Sequence, residues 1–130
     1  MSYGVAAALQ EAIFARLRGL GGLQDVAIHD AAPDATAGTW VLIGPETVRD
    51  RSDASGAGAE HQVVLSVISD AEGFLAAKRV AGAISDGLAV PLEMSRGRIA
   101  GLWFDRAVAR RLEAGRTRRI DLTFRVRVEG

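Results

Sequence analysis

The sequence predicts an α+β fold, a small two-layer domain in which two main helices pack on a mixed or antiparallel sheet of about four to five strands ending in a C-terminal β-hairpin. Three observations predict it. Residues 119–128 alternate without a slip, with Ile120, Leu122, Phe124, Val126 and Val128 on one side of a period-two strand and Arg119, Asp121, Thr123, Arg125 and Arg127 on the other. Two further segments repeat apolar residues at helical spacing instead. The chain has 130 residues, 48% of them apolar, enough to bury one hydrophobic core but not two.

The elements follow in order. Val5, Leu9, Ala12, Ile13, Arg16, Leu17 and Leu20 recur at helical spacing until Gly19, Gly21 and Gly22 stop the pattern, so a first helix spans about 3–18. Residues 26–29 read as a short strand, and a loop begins at Ala31, Ala32, Pro33 and Asp34. The run 39–44 is a second strand whose continuous apolar character places neighbours on both faces and Trp40 in the core. Residues 45–60, with Asp50, Arg51, Ser52, Asp53, Ser55, Gly56 and Gly58, offer almost nothing to a core and read as a long polar loop. A strand follows at 61–68. Ser69 and Glu72 have the spacing of a capping box, which predicts that a helix starts there. Phe74, Ala77, Ala81, Ile84 and Leu88 form its apolar stripe, and Gly87 and Pro91 end it. Residues 98–111 and 116–128 close the fold as the hairpin, bent at Gly115. No repeat or linker divides the chain, so 1–130 reads as one domain.

Composition excludes several function classes. No run approaches the roughly 18 apolar residues of a membrane span, and the first residues lack the basic start and apolar stretch of a secretory signal. The expected compartment is the cytoplasm. Without cysteine there is no disulfide framework and no thiolate chemistry. The only imidazoles, His29 and His61, lie at strand ends away from any nucleophile motif, which reads as solvated boundary residues. An enzyme reading would need a cleft that sets one of them beside an acid. Two separated histidines give no metal site, and Asp50 and Asp53 lack an EF-hand pattern. Gly56-Ala57-Gly58 precedes a strand rather than following one, and the single lysine, Lys78, falls on the second helix, so the glycines read as flexibility and no cofactor is expected.

Net charge is zero but sorted along the chain. From Arg96 onward ten arginines face four acids, a balance of +6 that leaves −6 on residues 1–95. Opposite charges segregated in this way favour oriented self-association, whereas nucleic-acid binding usually shows a net basic domain. The row of arginines on the last strand admits three readings: a solvated sheet face, a subunit contact through bidentate pairing to carboxylates, or a nucleic-acid surface, for which interleaved aromatics are few. Candidate interface residues are Asp50, Arg51, Asp53, Trp103, Arg106, Arg119, Arg125 and Arg127.

The order of elements resembles a known family. The first helix, the strand ending Val41-Leu42-Ile43-Gly44, the polar loop, His61-x-Val63-x-Leu65-x-Val67-Ile68-Ser69, Gly73, Leu88 and the terminal Arg119-x-Asp121-Leu122-x-Phe124-Arg125-Val126 strand together resemble the tail-completion proteins of long-tailed phages. More narrowly, they are similar to the tail terminators of gene transfer agents, phage-like particles that carry host DNA. The resemblance covers nearly the whole chain and implies a structural role. It implies a ring, usually hexameric, that caps the tail-tube protein, stops tube growth and docks a head-side connector or stopper protein. DNA would pass through the lumen without sequence-specific binding. The family pattern carries no functional motif that transfers residue by residue.

Overall fold

The computed structural model describes residues 3–33, 37–54 and 56–130. Helix α1 (Ala6–Arg18), entered through a single 3-10 turn (Tyr3–Val5), buries Ala8, Leu9, Ile13 and Leu17, the stripe that its i, i+4 spacing dictates. After a second 3-10 turn (Gly21–Leu23) come β1 (Ala27–His29), β2 (Thr39–Asp50), β3 (Gly58–Ser69), α2 (Leu75–Leu88), β4 (Arg98–Leu112) and β5 (Thr117–Glu129). The five strands form one sheet in the order β1-β2-β3-β5-β4. β1 runs parallel to β2 and every other pair is antiparallel, so the sheet is mixed and the fold is the expected α+β arrangement.

Both helices cover one face. α2 crosses β3 and β5, and α1 packs beside α2 and against β1. Leu9, Ile13, Leu17, Ala77, Ile84 and Leu88 from the helices meet Val41, Val63, Leu65, Val67 and the whole apolar side of β5 in one core. Each large side chain buried there contributes about 1.5–3 kcal/mol, and this is what holds the β5 alternation in register.

Four local expectations are corrected. The polar stretch 45–60 is mostly strand: β2 runs on to Asp50 and β3 begins at Gly58, paired from Glu46–Val63 to Asp50–Ala59. Composition missed it because this half of β2 lies at the sheet margin, where a backbone ladder rather than buried side chains defines the strand. A register shift between Ile43 and Glu46 takes up Gly44 and Pro45, the kind of site at which proline is tolerated in a sheet. The remaining connection is 51–57, closed by Arg51 N–H donating to Gly58 O at 2.8 Å. Ser69 is the end of β3 and not a helix cap. Its hydroxyl accepts from Ala71 N–H (3.1 Å) and bonds Thr39 Oγ1 (2.8 Å), while Gly73, at φ +72°, delays α2 until Leu75.

Gly87 is the penultimate residue of α2, at the end the sequence predicts. A Cβ there would approach Leu20 Cδ1 to 2.7 Å, so the glycine permits close packing of α2 on the segment after α1. The helix stops at Leu88, where the Arg16 guanidinium donates to the carbonyls of Gly87 (2.6 Å), Val90 (2.9 Å) and Pro91 (2.8 Å). A cation at these orphan carbonyls also suits the negative end of the helix dipole. Trp40 and His61 exchange their expected settings. Trp40, opposite Ile68, lies on the sheet face away from the helices, edge-on to His29 at 5.7 Å. His61 is fully buried, its Nδ1 3.0 Å from Glu46 Oε2, because its strand parity matches Val63 and Leu65. The loop expected from Ala31 lies in part outside the described residues.

Candidate functional site

Among the described residues, no helix or strand covers the second face of the sheet, and the polar side of β5 runs across it. At its centre Asp121 stands opposite Ser66 of β3 and Val108 of β4. Its carboxylate accepts from Ser66 Oγ (2.6 Å), Arg119 Nε (2.8 Å) and Arg110 Nη2 (3.1 Å). Burial pushes the Asp121 carboxyl upward, but the Ser66 hydroxyl and the Arg119 and Arg110 cations outweigh it and hold the group below its usual range. A second Arg119 nitrogen donates to Ser66 Oγ at 3.2 Å. Arg119 is therefore tied into its own sheet.

The other end of this face holds a second cluster. Arg125 lies 3.9 Å from Glu60 of β3 and 5.8 Å from the centre of the Trp103 ring on β4. Arg51 also approaches Glu60, at 3.6 Å, and Arg127 Nη2 donates to the Arg51 carbonyl at 2.9 Å. Asp50 accepts from the Ser52 hydroxyl (2.6 Å) and amide (3.1 Å), which hold its carboxyl below the usual range. Asp53 exchanges backbone hydrogen bonds with Gly56 across the turn (3.0 and 3.3 Å). The structure thus gathers Arg51, Trp103, Arg125 and Arg127 around Glu60 and places Asp50 and Asp53 on the adjoining turn. Arg119 stands apart at Asp121. Arg106, opposite Thr123 between the two clusters, has no ion-pair or hydrogen-bond partner among the described residues.

The two sheet edges differ. β4 is a 15-residue edge strand whose Trp103, Phe104 and Val108 are 50%, 51% and 43% exposed. At the opposite edge β1 pairs only with Trp40–Leu42, so among the described residues the rest of β2 has an unpaired outer side. Beside it run two adjoining grooves that share Ala7 and Gln10 of α1. One, of about 470 Å³, is also lined by Glu11, Phe14, Ile28, His29 and Asp30; the other, of about 400 Å³, reaches Tyr3 and Glu46. His29 therefore shares a groove with two acids, yet no hydrogen bond joins it to either, and its ring packs on Trp40. That is not the geometry of an oriented general base, and His61, which does meet an acid at Glu46, is fully buried and lines neither groove. No group of three or more His, Cys, Asp or Glu among the described residues is placed to hold a metal ion.

The profile of the family described as tail completion protein gp17 matches residues 11–129. The chain belongs to that family. Among solved structures, a chain in the virion of a native gene transfer agent particle is 54% identical, with a TM-score of 0.90 over 99% of this chain and 100% of that one. No curated protein sequence matches. The protein is a structural tail protein of the tail-completion family. Sequence reading of this tail-completion protein missed Ser66, Glu60, Phe104 and Val108. Ser66 and Glu60 oppose Asp121 and Arg127 only through the β3–β5 register, whereas the exposure of Phe104 and Val108 was signalled by the arginines interleaved with them on β4.

Proposed function

We infer that this tail-completion protein forms a closed ring, hexameric as in the terminators it resembles, that caps the tail tube, ends its elongation and joins the tail to the head-side connector. The observation that carries this reading is the family match together with the likeness to a chain of a gene transfer agent virion. Physical support comes from the two unlike sheet edges and the sorted charge. A head-to-tail ring needs two different complementary patches on each subunit, and a self-complementary pair does not. Of the candidate interface residues, Trp103 and Arg106 on β4 are placed for subunit contact. Asp50, Arg51, Asp53, Arg125 and Arg127 sit together at one rim, a surface for the tube or the connector, and Arg119 supports that face from within. The ring assembles in the bacterial cytoplasm and leaves in the particle, with DNA crossing its lumen without sequence readout.

The test is a mass measurement of the purified protein over a range of concentrations, repeated with tail-tube protein, alongside particles made without this protein. A ring in at least one condition and particles with overlong tails or unjoined heads are expected. A strict monomer throughout, with normal particles in its absence, overturns the reading.

A further inference from the structure

Unpaired strand edges present rows of backbone N–H and C=O groups that template another strand, and proteins usually cover them or keep them short. Neither device protects β4, which extends 15 residues with no strand or helix on its outer side among the described residues. Its two register shifts, at Ile99–Gly101 and Phe104–Arg106, bend it without ending it. The opposite margin of the sheet is open in the same way. Among the described residues, β1 leaves 43–50 of β2 unpaired on their outer side, a length of about 25 Å at the usual rise per residue.

We propose that the outer edge of β4 in one subunit pairs with the outer edge of β2 in the next, so that the sheets continue around the ring. The inference rests on the ring reading and names its contact. Direction is consistent: β2 is antiparallel to β3, β3 to β5 and β5 to β4, so β4 runs opposite to β2. Rotation about a ring axis lying along the strands preserves their direction, and β4 therefore meets the neighbour's β2 as an antiparallel partner. Side-chain parity is consistent as well. Phe104 pairs with the core residue Phe124, so it points to the helix side and overhangs the margin half-exposed. In a continued sheet it faces the helix side of the neighbour, where the α1 groove of Tyr3, Ala7 and Gln10 opens beside β2.

The chain contains no cysteine, so an engineered disulfide reads out without background. Thr47, aligned with Gln62 and through it with Arg125, shares its sheet face with Trp103, Arg106 and Val108. Directly opposed antiparallel residues lie about 4.5–5.5 Å apart between Cα atoms, within disulfide reach. Thr47→Cys is combined in one chain with Trp103→Cys, Arg106→Cys or Val108→Cys, and the same set is made with Arg49→Cys. Mild oxidation of assembled particles is then followed on non-reducing gels. At least one pair is expected to give a ladder of covalent oligomers up to the closed ring. Each single variant should stop at a dimer or below, and Thr47→Cys with Ala107→Cys, on the opposite face, should give no ladder. A ring of unchanged mass with no ladder from any of the six pairs overturns the edge contact and leaves the ring standing. Absence of any ring, in particles as well as in solution, overturns both.

Discussion

At the scale of single residues, the polar side of β5 is an internally satisfied network rather than a free row of cations. Asp121 illustrates the consequence. Its carboxyl is held below the ordinary carboxylate range, so its stabilising contribution is complete above about pH 4, the unfolded-state value, and is lost as pH falls through the lower folded-state value. Asp121→Asn should cost about 1 kcal/mol at neutral pH, the modest figure that partial solvent exposure allows, and should flatten the acid limb of a stability-versus-pH curve. A variant with the same acid limb as the parent would show that Asp121 is not a source of the acid sensitivity. The alternation of residues 119–128 made Asp121 and its neighbours legible as one polar side. Its partners were not, because Ser66 comes from a strand 55 residues away and only the β3–β5 register brings the two together. The same limit hid His61. A lone histidine at a strand start reads as a boundary residue until parity places it beside Val63 and Leu65.

At the scale of elements, the sequence reveals those whose side chains enter the core and conceals those defined by backbone pairing. α1, α2, β3 and β5 each carry an apolar period and lie where it predicts. The second half of β2 carries none, and Ser69 with Glu72 satisfies a capping pattern in a stretch that Gly73 turns away from helix. Hydrogen exchange separates the two descriptions of 45–60: half of the amides in Glu46–Asp50, those bonded to β3, should be protected well above unbonded loop amides. Uniformly fast exchange from 45 to 60 would restore the loop. The end of α2 gives a second test. Arg16 satisfies three carbonyls at and just beyond the end of the helix with one guanidinium, so Arg16→Ala should destabilise the fold by about 1.5–3 kcal/mol, the range for hydrogen bonds to charged groups. Arg16→Lys should recover only part of this, because an ammonium retains the charge but not the planar fork. A loss under about 0.5 kcal/mol in thermal or urea unfolding would place Arg16 among ordinary surface positions.

At the scale of the whole molecule, sorted charge and open edges make separable contributions to assembly. The +6 of residues 96–130 and the −6 of residues 1–95 attract over distances comparable to the Debye length, about 10 Å at 0.1 M salt and about 3 Å at 1 M. Main-chain pairing of a strand edge acts only at contact and is nearly insensitive to salt. Long-range charge therefore governs how quickly subunits meet in the correct orientation, and edge pairing governs how long they stay. Raising salt from 0.1 to 1 M should slow association by roughly tenfold, the low end of electrostatic steering, with dissociation changed far less. Reversing Arg106 to Glu should lower the low-salt rate toward the high-salt one while leaving thermal stability of the isolated subunit within about 0.5 kcal/mol, because this side chain has no ion-pair or hydrogen-bond partner among the described residues of its own subunit. Light scattering after rapid dilution from dissociating conditions reads both rates. An association rate that does not respond to salt would mean that the charge sorting plays no part in assembly, and the unlike edges would then have to specify orientation without it.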